Sequence, residues 1–202
     1  MNSRQFQTLV VATRNTGKLR EFRELLQPLQ CEILSLRDVG IEDEVEEHGS
    51  TFAENAGIKA LGYSRLTALP VLADDSGLEV AALGGRPGIH SARYAGEGAS
   101  DSDRIRKLLA ELDQTGGERS ARFVCALALA REGTVILESE GACSGVIIAE
   151  PRGTNGFGYD PVFLFPTLGK TFAELTEPEK NKHSHRSHAV TALLPKLANR
   201  HS

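Results

Sequence analysis

Apolar and polar positions along the chain alternate in short blocks that predict strands and helices in turn. Leu9, Val10, Val11 and Ala12 form an unbroken apolar run, as a buried strand does. A polar turn follows, Thr13, Arg14, Asn15, Thr16, Gly17 and Lys18. Leu19, Phe22, Leu25 and Leu26 then recur at helical spacing, with Arg20, Glu21, Arg23 and Glu24 between them. Residues 32–36 predict a second strand. An acidic run, Glu42, Asp43, Glu44, Glu46 and Glu47, leads to Thr51 and Glu54, a capping-box pair that opens a helix reaching about Arg65. The next apolar run starts at Val71 and stops at Asp74, Asp75, Ser76 and Gly77, so it reads as a buried strand whose last residues leave the sheet. Because strand side chains alternate, the two aspartates should face opposite ways if the strand holds.

Ser100, Asp101 and Asp103 supply a cap and first-turn acids to a helix carrying Ile105, Leu108, Leu109 and Leu112, which Gly116 and Gly117 end. Residues 122–130 and 134–141, joined by Glu132 and Gly133, predict a β-hairpin, and 146–149 a further strand. A glycine-rich loop from Pro151 to Pro161 precedes a strand at 162–165. Residues 172–175 and 177–182 predict short helical turns. Ser184 can cap a last helix with Val190, Leu193, Leu194 and Leu197, which Pro195 should kink or end early. Strands that both alternate with helices and form a hairpin predict an α/β fold with a mixed central β-sheet and flanking helices. Two lobes around a cleft are an expectation and not a deduction from this pattern. At 202 residues the chain suits one domain.

Net charge is −4, so no global basic field draws the chain to nucleic acid or an anionic membrane, and an anionic ligand must be held by local cations. Cys31, Cys125 and Cys143 are odd in number and lack CxxC spacing, which predicts reduced thiols and a cytoplasmic setting. The first apolar run is far too short for a signal or a membrane span.

Four polar clusters lie far apart, each beside a predicted strand end or helix start: Thr13 to Lys18, Asp74 to Ser76, Phe157 to Asp160, and Lys180 to Arg186. The first sits where helix amides and the dipole favour a phosphate. It is not a Walker motif, because Leu19 stands where Ser or Thr would hold Mg²⁺ and the earlier glycine is missing. On loop chemistry alone an ordinary strand-to-helix connection is the favoured reading. The Asp-Asp-Ser-Gly run suits a metal and a base, or simply a turn. Phe157 and Tyr159 alternate, so both can share one strand face, for stacking or for core packing. His183, His185 and His188 lack HExxH, and polar side chains at a helix start are favoured over zinc. Cations, carboxylates and aromatics together are what a nucleoside polyphosphate needs.

The runs VVATRNTGK, TFAENAGIKA, LADDSGLEV, GGRPGIHSARYAG, GTNGFGYDPVF and EKNKHSHR, in that order over almost the whole chain, resemble the inosine/xanthosine triphosphate pyrophosphatase family. The resemblance implies a homodimer that uses Mg²⁺ to cleave a purine nucleoside triphosphate to monophosphate and pyrophosphate. Residue by residue, it implies that Thr13, Arg14, Asn15, Thr16, Gly17 and Lys18 bind the triphosphate, although many relatives carry glycine at Arg14. Asp75 would be proton acceptor and metal ligand, Glu46 the second metal ligand, and Ser76 a substrate contact. Phe157, Gly158, Tyr159 and Asp160 would line the nucleoside site, and Lys180, His185 and Arg186 would bind substrate. Hypoxanthine and xanthine present an oxo acceptor where adenine presents an amino donor, so donors from Arg186 or main-chain amides would select against ATP. A regulator without catalysis, a pyrophosphatase for modified pyrimidines or methylated bases, and an RNA-binding module are the rival readings.

Overall fold

The computed structural model describes residues 6–198. Its strands are β1 (Thr8–Ala12), β2 (Glu32–Ser35), β3 (Val71–Val80), β4 (Ser120–Arg131), β5 (Thr134–Ile147), β6 (Phe163–Phe165) and β7 (Lys170–Thr171). They form a seven-stranded sheet in the order β2-β1-β3-β4-β5-β6-β7. β1 pairs parallel to β2 and β3, whereas β6 pairs antiparallel to β5 and β7, so the sheet is mixed, as the order of predicted elements required. The helices are α1 (Thr16–Leu25), α2 (Phe52–Ser64), α3 (Asp101–Thr115), α4 (Glu177–His183) and α5 (His185–Ala198).

Three elements run longer than their sequence suggests. β3 does not stop at Asp74 and Asp75 but continues through Ser76 and Gly77 to Val80. The carboxylates remain in the strand because cationic side chains meet them there. The expected strands at 134–141 and 146–149 merge into one strand, β5, which ends at Ile147. α5 continues past Pro195 to Ala198, although that residue has no N–H to donate and leaves the ladder one bond short. The hairpin turn is as expected: Glu132 (φ 52°) and Gly133 (φ 72°) both take the positive φ that a two-residue turn needs. Phe157 and Tyr159, by contrast, lie in a turn and not on a strand.

The described residues divide into two compact units. One comprises residues through Asp75, Cys125–Gly141 and those from Arg186 onward; the other is Ser76–Val124 and Ala142–His185. In the first, Leu9 and Val11 of β1, Phe22 and Leu26, Leu72, and the alternating Cys125, Leu127 and Leu129 of β4 pack with Ala189, Val190, Leu193 and Leu197 of α5. In the second, Ile105, Leu108 and Leu112 of α3 join a core with Leu78, Val80, Tyr159 and the rings of Phe123, Phe163 and Phe172. Phe123 and Phe163 lie 4.5 Å apart, centroid to centroid, and Phe163 and Phe172 4.9 Å.

Gly153 shows how tightly the second unit is closed. Its φ is +82°, and a Cβ there would meet the main chain of Ala173 at 2.3 Å. Gly153→Ala should therefore lower unfolding stability by about 2–4 kcal/mol, from overpacking and a strained φ together. Urea denaturation of the two proteins measures this.

Candidate active site

In the first unit, β1 delivers the chain to a polar turn whose own groups hold it. The Asn15 N–H donates to Thr13 Oγ1 (3.2 Å), and Asn15 Oδ1, as N-cap of α1, accepts the Lys18 N–H (3.0 Å). The helix start leaves the first-turn amides of Thr16 and Gly17 without intrahelical acceptors. Arg14 donates to the carbonyls of Glu42 (2.5 Å) and Asp43 (2.9 Å), which ties the acidic loop to this turn. The Lys18 ammonium is not loose: it pairs with Asp74 Oδ2 at 2.8 Å.

Asp74 is the centre of a buried chain of charges. Arg186 Nε lies 4.0 Å from the same oxygen, and Arg186 Nη1 donates to Glu21 Oε2 at 2.5 Å. Glu21, Asp74 and Arg186 are each 2–3% exposed. Two carboxylates and two cations thus offset one another where an unpaired charge would be strongly unfavourable. Burial works against ionisation of Asp74, but Lys18, Arg186 and Lys59 outweigh it and bring its pKa down to about 2. Burial also opposes the charge of Arg186, and Glu21 and Asp74 override it, so its pKa is raised.

Asp75, next along β3, has different partners, as strand alternation requires. Asn55 Nδ2 donates to its Oδ2 at 3.1 Å, and Lys59 Nζ stands 3.7 Å from its Oδ1. Burial is the largest influence on Asp75 and raises its pKa, against the pull of Lys59. For Lys59 burial lowers the pKa, but Asp74, Asp75 and Glu47 raise it further. Asn55 and Lys59 lie one turn apart on α2. The Gly49 N–H donates to Asn55 Oδ1 (2.8 Å), and a Cβ on Gly49 would strike that oxygen at 2.6 Å. Glu46 is exposed, whereas its neighbour Glu47 reaches Lys59 at 3.2 Å. Among the described residues no three His, Cys, Asp or Glu side chains form a metal-binding group. The oxygens present still fit Mg²⁺, which takes one or two carboxylates and completes its shell with water and phosphate.

In the second unit, Asp160 organises the glycine-rich loop. Its Oδ2 accepts the Phe157 N–H (2.9 Å) and pairs with Lys180 Nζ (2.5 Å). Lys180 Nζ also sits 4.7 Å from the centre of the half-buried Phe157 ring. Gly156, at φ +74°, leaves room for Asp160, whose Oδ2 would be 2.1 Å from any Cβ there. Tyr159 belongs to the core and donates its hydroxyl to the Ser91 carbonyl at 2.9 Å. Burial raises its pKa. His185 is buried and stacks on Phe123, centroids 4.8 Å apart. Ser76 is half-buried in β3.

Expected residues thus meet within each unit: Lys18 with Asp74 and Arg186, and Phe157 with Asp160 and Lys180. Sequence reasoning left Glu21, Asn55, Lys59 and Glu47 without roles. Glu21 falls at a polar position of an amphipathic pattern, and nothing local shows that it is buried. Asn55 and Lys59 carry the only local signal, an i, i+4 spacing on one helix face.

A family model described as the Ham1 family matches residues 9–196. The chain belongs to the Ham1 family. A curated "dITP/XTP pyrophosphatase" of Geobacillus kaustophilus is 55% identical to it over 186 residues, covering 92% of this chain and 91% of that one. The protein of that name from Escherichia coli K12 is 49% identical over 196 residues, covering 96% and 99%. Among solved structures, a HAM1 protein from Coxiella burnetii superposes with TM-score 0.85 at 45% identity, covering 95% of this chain and 98% of its own. The Staphylococcus aureus Ham1 protein gives 0.83 at 40% identity, with the same coverage.

Asp74 predicts an acid limb. Its folded pKa lies below the ordinary 3.8, so its share of stability is present above that value and is lost as pH falls toward about 2. In metal-free buffer, urea midpoints should drop between about pH 4 and 2 for the native protein. Asp74→Asn, already weaker at pH 7, should lose less over that range.

Proposed function

We propose that the chain hydrolyses nonstandard purine nucleoside triphosphates, namely ITP, dITP and XTP, to monophosphate and pyrophosphate, with Mg²⁺, and so keeps them out of DNA and RNA. Membership of the Ham1 family supports the reaction class. The observation that carries the chemistry is Asp75, a buried carboxylate of raised pKa held by Asn55 and Lys59. A carboxylate made more basic by burial is suited to take a proton.

Thr13, Asn15, Thr16 and Gly17 would receive the triphosphate at the start of α1, with Arg14 bracing the turn beside them. Lys18, held by Asp74, would balance charge on the leaving pyrophosphate. Asp75 would accept the proton of the attacking water, and Ser76 would contact the substrate. Asp75 and Glu46 would hold Mg²⁺, which when bound supplies neutralisation of phosphate oxygens. Phe157, Gly158, Tyr159 and Asp160, with Lys180, His185 and Arg186, would serve the nucleoside end. Tyr159 shapes this end from the core side, and Lys180, buried and paired with Asp160, braces Phe157. The two units would act as one pyrophosphatase domain, in a cytoplasmic homodimer. No described helix is long and apolar enough to cross a membrane.

A panel of triphosphates with Mg²⁺, scored for pyrophosphate against orthophosphate, tests the reading. ITP, dITP and XTP should turn over well above ATP and GTP, releasing pyrophosphate first. Asp75→Asn should lose about 10²–10⁴-fold in turnover while keeping its thermal melt. Orthophosphate as the first product, or equal rates on all five, would contradict it.

A further inference from the structure

Asp101 opens α3, where an acid is ordinarily explained by the helix dipole. Its carboxylate does more than that. Oδ2 accepts the N–H of Gly158, 57 residues further along, at 2.6 Å, and Oδ1 pairs with Arg104. Arg104 also donates to the carbonyls of Ala92 (2.9 Å) and Ala99 (2.6 Å), so one guanidinium ties two points of the segment before α3 to the first residue of the helix. From the same segment the Ser91 carbonyl accepts the Tyr159 hydroxyl, while Ser91 Oγ donates to Gly88 O (2.6 Å) and accepts the Leu78 N–H (2.9 Å). Two successive residues of the Phe157–Asp160 turn are therefore gripped by residues 88–101, a stretch to which the proposed function gives no role. Gly158 sits at φ +63°, a conformation that invites other backbone states once its N–H is released.

We propose that Asp101 is a positioning residue for nucleobase recognition: by holding the Gly158 N–H it fixes the turn that carries Phe157 and Asp160. This rests on the reading that the turn serves the nucleoside. It also assigns the Phe157 and Gly158 amides to protein carboxylates, Asp160 and Asp101, so the donors that read the base come from elsewhere.

The test uses the full chain with Mg²⁺ and ITP, alongside ¹⁵N-edited NMR of the Gly158 amide. Asp101→Ala should raise KM for ITP about fivefold, the worth of one half-exposed charged hydrogen bond, with kcat within about twofold. The Gly158 amide proton should move upfield and exchange faster. Asp101→Asn keeps an acceptor and should recover most of the KM. An unmoved Gly158 resonance, an unchanged KM, or kcat and melting temperature falling together without a KM change would each overturn the assignment. If the native protein releases no pyrophosphate from any purine triphosphate, the functional reading fails instead, and the Gly158 resonance still reports whether Asp101 holds the turn.

Discussion

Asp74 is a charge set in a strand flanked by hydrophobic neighbours, and it stays ionised there because Lys18 and Arg186 reach it. Desolvating a lone carboxylate would cost several kcal/mol; the two cations offset that, and Glu21 in turn stabilises Arg186. Elements distant in sequence must come into register for the balance to close: α1 brings Lys18 and Glu21, β3 brings Asp74, and α5 brings Arg186. A buried ion-pair chain of this kind adds little net stability compared with apolar packing, but it penalises arrangements in which one member is missing.

The same constraint gives the neighbouring carboxylate its character. Asp75 takes its close contacts from α2, an amide at hydrogen-bond distance and a more distant ammonium. One aspartate is therefore more acidic than usual and the next less so, with a single peptide bond between them. Environment alone sets two identical side chains apart.

Much of the architecture was legible in the chain because it is written locally. The apolar run of β1, the helical spacing of α1, the capped α3 and the Glu132–Gly133 turn depend on neighbours within a few residues. The continuation of β3 beyond Asp75 was not legible, since two carboxylates normally mark the end of a buried strand and only remote cations allow them to stay within it. Likewise the Glu21–Arg186 contact joins residues 165 apart, and a polar position in an amphipathic pattern predicts solvent. The turn at Phe157–Asp160 misled in a different way: alternate aromatics look like a strand face, and the core claimed one ring and not the other. The polar clusters were recognisable by residue type and order, while the partners that meet them, Asn55, Lys59 and Asp101, were not.

Gly49 and Gly156 have no side chain to offer, yet each borders a carboxamide or carboxylate that would collide with even a methyl group. At these two places the hydrogen atom is the functional substituent. A survey that ranks positions by their reactive groups would pass over both. Inactivity caused by replacing either one would then resemble the loss of a chemical participant, although what had been lost was only empty space beside it.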